Sequence, residues 1–207
     1  MEEEDDDDNG YVDDMYGWRV AQEGDDVTLP ESPDIQPLDH ATHGAGIIGA
    51  VGNNGIGIAG IAGGSGKGDG VKLMCCQIFV KTTPPETPNF TELVATGKAN
   101  EAWLYAAENG AVIASCSFSN PDLSDSYREA ISYFIDHAGT DEFGNQTGPM
   151  KGGVIIGAAG NSGRDTKRYP AALDECIGVT AIAPNFKIPG YANFGTWIDI
   201  SAPGGIS

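Results

Sequence analysis

Two of the three histidines in this chain, His40 and His43, fall in Asp39-His40-Ala41-Thr42-His43-Gly44-Ala45-Gly46. Imidazole titrates near neutrality, so such a group can take a proton from a hydroxyl and return it to a leaving amine. About 120 residues later, Gly157-Ala158-Ala159-Gly160-Asn161-Ser162-Gly163 ends an apolar run on an amide side chain. An amide at the C-terminal end of a strand lies where open α/β sheets build their sites. Each residue also has a plainer reading. A lone histidine is more often structural than catalytic, and Gly-Asn-Ser-Gly is an ordinary turn. The two segments in this order carry the argument further than either alone.

The elements that must hold these residues follow from periodicity and breakers. Small and apolar residues after His40 predict a helix starting near Thr42, with His43, Gly46 and Ile47 on one side. Gly52-Asn53-Asn54-Gly55 is its stop signal. The apolar run 71–80 reads as one buried strand, and 90–109 as a helix ended by Asn109-Gly110. Strands are expected over 111–117, 153–159 and 176–182. A further helix is expected over 124–138, capped by Ser124, with Ile131, Phe134 and Ile135 inward. Strands alternating with helices predict a mainly parallel sheet with helices on both faces.

The histidine and asparagine segments together resemble two motifs of the subtilisin-like serine proteases, the subtilases: His-Gly-Thr-His-Val-Ala-Gly and Ala-Ala-Gly-Asn. Other stretches extend the likeness. They are Asn53 to Ala62, Ser117-Phe118-Ser119, Tyr169-Pro170-Ala171-Ala172, Cys176 to Ala181, Asn193-Phe194-Gly195 and Trp197 to Gly204. The likeness covers nearly everything after Asp5 and implies a three-layer α/β subtilisin-like fold and peptide-bond hydrolysis by a Ser-His-Asp triad. It makes His40 the general base, His43 the structural histidine of the motif and Asn161 the oxyanion donor. Ser117, Phe118 and Ser119 become the edge that pairs with substrate backbone and walls the pocket for the substrate side chain; Phe118 is otherwise a core aromatic. Departures are Ala41 where glycine is usual, Gly44 where valine is usual, and Ser119 in place of a glycine.

Two expected blocks are absent from the 207 residues. No Asp-Thr/Ser-Gly precedes His40 and no Gly-Thr-Ser-Met-Ala follows Asn161. Asp39 adjoins His40 too closely to orient it, and Ser207 follows Ala202-Pro203-Gly204 too closely to be the nucleophile. The expectation is a central fragment of a protease, inactive alone. The runner-up is a catalytically dead, peptide-binding relative or gene relic.

The chemistry requires no cofactor, but the likeness implies a structural calcium ion held by the Asn54 side chain and the Ile56 and Ile58 carbonyls. A second acidic stretch, Asp5 to Asp14, resembles half of an EF-hand loop. Asp5, Asp7 and Asn9 stand at positions 1, 3 and 5, Gly10 at 6 and Asp13 at 9, but Tyr16 occupies the position of the bidentate carboxylate. A solvated charge run and weak calcium binding are both compatible with it. Gly63 to Gly68 is no phosphate loop, since Ile61 takes the first glycine position and no Ser or Thr follows Lys67.

A net charge of −19 disfavours nucleic acid and anionic membrane surfaces. The expected partner is a polypeptide substrate, with no nucleic acid and no membrane span. Half of the 30 acidic residues lie within the first 39 positions. The expected organisation is therefore an acidic segment over 1–17 and a partial subtilase catalytic domain over 18–207. The likeness implies a secreted or cell-envelope protein, although Met1-Glu2-Glu3-Glu4-Asp5 opens no signal segment. Cys75, Cys76, Cys116 and Cys176 match no zinc spacing and are expected to be free core residues.

Overall fold

The computed structural model describes residues 5, 9–11, 14, 16–20, 39–82, 92–95 and 98–206. The chain forms two compact units, Met1–Ala102 and Trp103–Ser207. No helix among the described residues is long and apolar enough to cross a membrane.

In the first unit, strand β1 (Gly17–Trp18) precedes helix α1 (Asp39–Gly49), and strand β2 (Cys75–Cys76) pairs parallel with β1. Helix α1 begins three residues before the expected Thr42. The last proline before the helix, Pro37, lies outside it, and Asp39-His40-Ala41-Thr42 holds no residue that strongly resists helix. At its other end the glycine-rich loop folds back on the helix. Gly60 N donates to Ala50 O at 2.8 Å, Ile61 N to Ile47 O at 2.9 Å and Ala62 N to Ile48 O at 2.8 Å. These bonds satisfy carbonyls that a helix end otherwise leaves unpaired. The approach needs glycine: a Cβ at Gly60 or Gly63 would stand 2.4 or 1.8 Å from Ala50 backbone atoms.

The expected single strand over 71–80 is instead divided. Val71 N bonds Ala62 O, Cys75–Cys76 joins β1, and β3 (Phe79–Thr82) pairs antiparallel with β4 (Glu92–Ala95). The run is apolar throughout, so its pattern cannot show that three stretches have three different partners. For the same reason Leu93 and Val94 belong to β4 and not to the start of a helix. Helix α2 covers only Ala99–Glu108. It ends as expected, with Gly110 at φ +84° and Ala111 N bonding Ala106 O.

The second unit is built on four parallel strands in sequential order: β5 (Ile113–Cys116), β6 (Val154–Ala158), β7 (Ile177–Ile182) and β8 (Ile200–Pro203). Helix α3 (Asp125–His137) lies between β5 and β6 in the chain. Ser124 caps it, its Oγ accepting from Tyr127 N at 3.2 Å, and Tyr127, Ala130, Ile131 and Phe134 are its buried face. The core of the unit gathers Trp103, Tyr105, Ile131, Phe134, Ile155 and Leu173. Trp103 sits edge-on to Tyr127 with ring centroids 4.7 Å apart. The fold is α/β and mainly parallel.

All four cysteines are free. Cys116 and Cys176 are buried as expected, but Cys75 is exposed and Cys76 half-buried, because a two-stranded ribbon covers little of its own surface. Burial, reinforced by Glu175, pushes the Cys176 thiol from 9.0 up to about 12. Between these values the folded chain keeps a proton that the unfolded chain loses, so this contribution to stability falls as pH rises through the window. Urea midpoints measured at pH 8 and 10.5 should drop less in Cys176→Ala than in the parent.

Candidate active site

His40 lies in the first turn of α1 in the first unit, with its side chain exposed. His43 follows three residues later on the same helix and is also exposed. The His40 side chain makes no hydrogen bond or ion pair with any described residue. A carboxylate that orients its ring would have to come from outside the described residues.

The remaining residues that could act are in the second unit, and there the structure brings them together. The chain leaves β5 through Ser117-Phe118-Ser119 and leaves β6 through Ala159-Gly160-Asn161-Ser162. Because β5 and β6 are parallel neighbours, both segments emerge at the same sheet end. They border one cleft of about 340 Å³, which residues 117–119, Ala158, Gly160, Asn161, Ser162 and Arg168 line. Phe118 is half-buried, its ring 6.2 Å from that of Trp103, so it is at once a core contact and a wall of the cleft. Asn120 and Tyr169, which adjoin the lining residues Ser119 and Arg168, exchange backbone bonds at 2.8 and 2.9 Å. The Tyr169–Pro170 peptide is cis.

What holds the Asn161 loop is a residue that the sequence reading treats only as part of a matching stretch. Asn193 is fully buried. Its Nδ2 donates to Ala159 O at 2.9 Å and Thr166 O at 3.4 Å; its Oδ1 accepts from Ser162 N at 2.8 Å and Arg164 N at 3.4 Å. Its own backbone is pinned as well: N bonds Gly160 O at 3.0 Å, and its carbonyl accepts from Thr180 Oγ1 at 2.6 Å. One amide thus satisfies both sides of the loop around Asn161. Gly160 completes the arrangement, since at φ +98° a Cβ would stand 2.9 Å from Asn193 Nδ2. Asn193→Ala should destabilise the protein by about 2–4 kcal/mol, because it strands buried backbone donors and acceptors. The check is chemical denaturation, and a change under about 1 kcal/mol would mean water replaces the amide at no cost.

The loop with Asn54, Ile56 and Ile58 lies in the first unit. Asn54 Oδ1 accepts from Ile56 N at 3.0 Å, and the Ile56 and Ile58 side chains are exposed. Among the described residues no group of three or more His, Cys, Asp or Glu is arranged to hold a metal ion. Calcium takes six to eight oxygens, so an ion at this loop would need ligands from outside the described residues. In the acidic segment, Asp5 accepts from Asn9 N at 3.1 Å and Gly10 N at 2.7 Å, and Asn9 Oδ1 accepts from Tyr11 N at 2.8 Å. Those oxygens close the segment's own turn. Asp7 and Asp13 lie outside the described residues.

The subtilase family model matches residues 4–206, and the chain belongs to that family. It is 27% identical over 174 residues to the thermophilic serine proteinase of Bacillus sp. (strain AK1), covering 83% of this chain and 36% of the relative. It is 28% identical over 165 residues to thermitase of Thermoactinomyces vulgaris, covering 80% of this chain and 49% of thermitase. Among solved structures, the psychrophilic subtilisin-like protease Apa1 from the Antarctic psychrotroph Pseudoalteromonas sp. AS-11 superposes with a TM-score of 0.60 at 22% identity. That superposition covers 82% of this chain and 33% of Apa1, and shows the shared fold. The chain therefore spans less than half the length of these relatives.

Proposed function

We propose that this chain supplies the base and the oxyanion donor of a secreted or cell-envelope serine endopeptidase whose nucleophilic serine and orienting aspartate lie outside the 207 residues. The observation that carries the reading is the single cleft shared by Asn161 and Ser117–Ser119 at the ends of two adjacent parallel strands. An extended polypeptide laid along Ser117–Ser119 presents a carbonyl toward Asn161. The serine hydroxyl attacks that carbonyl while His40 takes its proton. Asn161 Nδ2 donates to the oxygen that becomes negative, and His40 returns the proton to the departing amine. Water then repeats the steps to release the acyl group.

The test is expression from the genomic locus with its flanking coding sequence, followed by treatment with a serine-directed phosphonate. Labelling of one serine outside this chain, lost in a His40 variant, is the expected result. The 207 residues alone should take no label. Flanks that encode neither missing block, with no labelling and retained binding of extended peptides, would instead establish a peptide-binding relative without catalysis.

A further inference from the structure

We infer that the cleft beside Asn161 selects an acidic side chain on the amino side of the scissile bond, and that Arg168 is the residue that selects it. The inference rests on the protease reading above and adds the substrate class.

Among the described residues, Arg168 is the one charged side chain lining the cleft. Its stem runs along Gly160, with Cγ 3.2 Å from where a Cβ at Gly160 would stand and Ser119 Oγ 3.5 Å from the same point. It is half-buried, and its side chain makes no ion pair or hydrogen bond with any described residue. The carboxylate nearest in sequence, Asp165, accepts instead from Trp197 Nε1 at 3.1 Å. Arg164, Lys167 and Arg168 also give this short stretch three of the 11 basic residues in a chain of net charge −19. Of these three, Arg168 is the one that lines the cleft.

A guanidinium stays protonated at any working pH, so its partial burial is uncompensated until a ligand supplies the partner. A carboxylate fits it as a planar, bidentate acceptor. The hydroxyls of Ser117, Ser119 and Ser162 on the same walls can donate to the carboxylate's remaining lone pairs. An apolar side chain would cover the guanidinium without pairing it, and a lysine would oppose it with like charge. Both fail for reasons that glutamate meets.

The test uses the protein with its flanking sequence and a set of peptides identical except for Glu, Gln, Phe or Lys before the scissile bond. Glutamate should give the highest kcat/KM. In Arg168→Gln the Glu-to-Gln ratio should fall by about 30-fold or more, the scale on which losing one member of a desolvated charge pair is felt. Cleavage of the Gln peptide should persist, and Arg168→Glu should turn the preference toward Lys. A parent that prefers Phe, or a Glu-to-Gln ratio unmoved by Arg168→Gln, overturns the inference. Binding of acetyl-Ala-Ala-Glu-amide against its Gln counterpart separates the two readings. If no peptide is cleaved but Glu binds tighter and the difference vanishes in Arg168→Gln, the protease reading fails and the acidic pocket stands. If neither cleavage nor binding discriminates, the pocket inference fails too.

Discussion

On the proposed assignment of His40 as base, His40→Ala in the chain with its flanking segments should lower kcat by about 10⁶ with little change in KM, a loss of the size established for the base of subtilisin, a member of this family. The split follows from what an imidazole does. It touches the proton in transit and not the substrate's recognition groups, so removing it raises the barrier without weakening the Michaelis complex. His43 supplies the control. It lies on the same helix and is equally open to solvent, so a purely electrostatic or structural contribution from histidine on this face would appear in both variants. His43→Ala should retain activity within about tenfold of the parent. Comparable losses at the two positions would remove His40 from the role of base. Because the His40 side chain has no hydrogen-bond partner among the described residues, its proposed role as base should also depend on an orienting carboxylate from outside those residues.

The parts legible in the sequence are those whose signals are local. Helix α3 announces itself by the Ser124 cap and by apolar residues at helical spacing, and both are present in the structure. Strands β5, β6 and β7 are short apolar runs between turn residues, and each falls inside its expected bounds. The apolar run 71–80 does not show that its stretches have different partners, and Leu93 and Val94 fit strand or helix equally; only long-range pairing decides both. Asn193 carries no local signal beyond a matching stretch, since the groups its side chain bonds lie 27 to 34 residues away. No periodicity marks such a residue. Arg168 had a fainter signal, a basic cluster in an acidic chain, but its position on the cleft wall depends on the return of the chain past Gly160.

On the proposed assignment of Asn161 as oxyanion donor, Asn161→Leu in the same full protein should reduce kcat by about 10²–10³ and leave KM near the parent value, a magnitude taken from the oxyanion donor of subtilisin. A fixed backbone is what that role requires of an amide at an exposed position. A donor that must be gathered from a mobile loop loses much of its gain to ordering, whereas one held in place acts at no reorganisation cost. The loop on either side of Asn161 is fixed by the Asn193 amide and by Gly160, so the Asn161 side chain starts from a constrained backbone. Asn193→Ala should therefore lower kcat as well as stability, and in the double variant the two losses in kcat should combine to less than their product, because removing the donor leaves the clamp nothing to position. Full multiplicativity would show that Asn193 supports the fold without supporting the donor. A kcat unchanged in Asn161→Leu would remove Asn161 from the oxyanion site altogether.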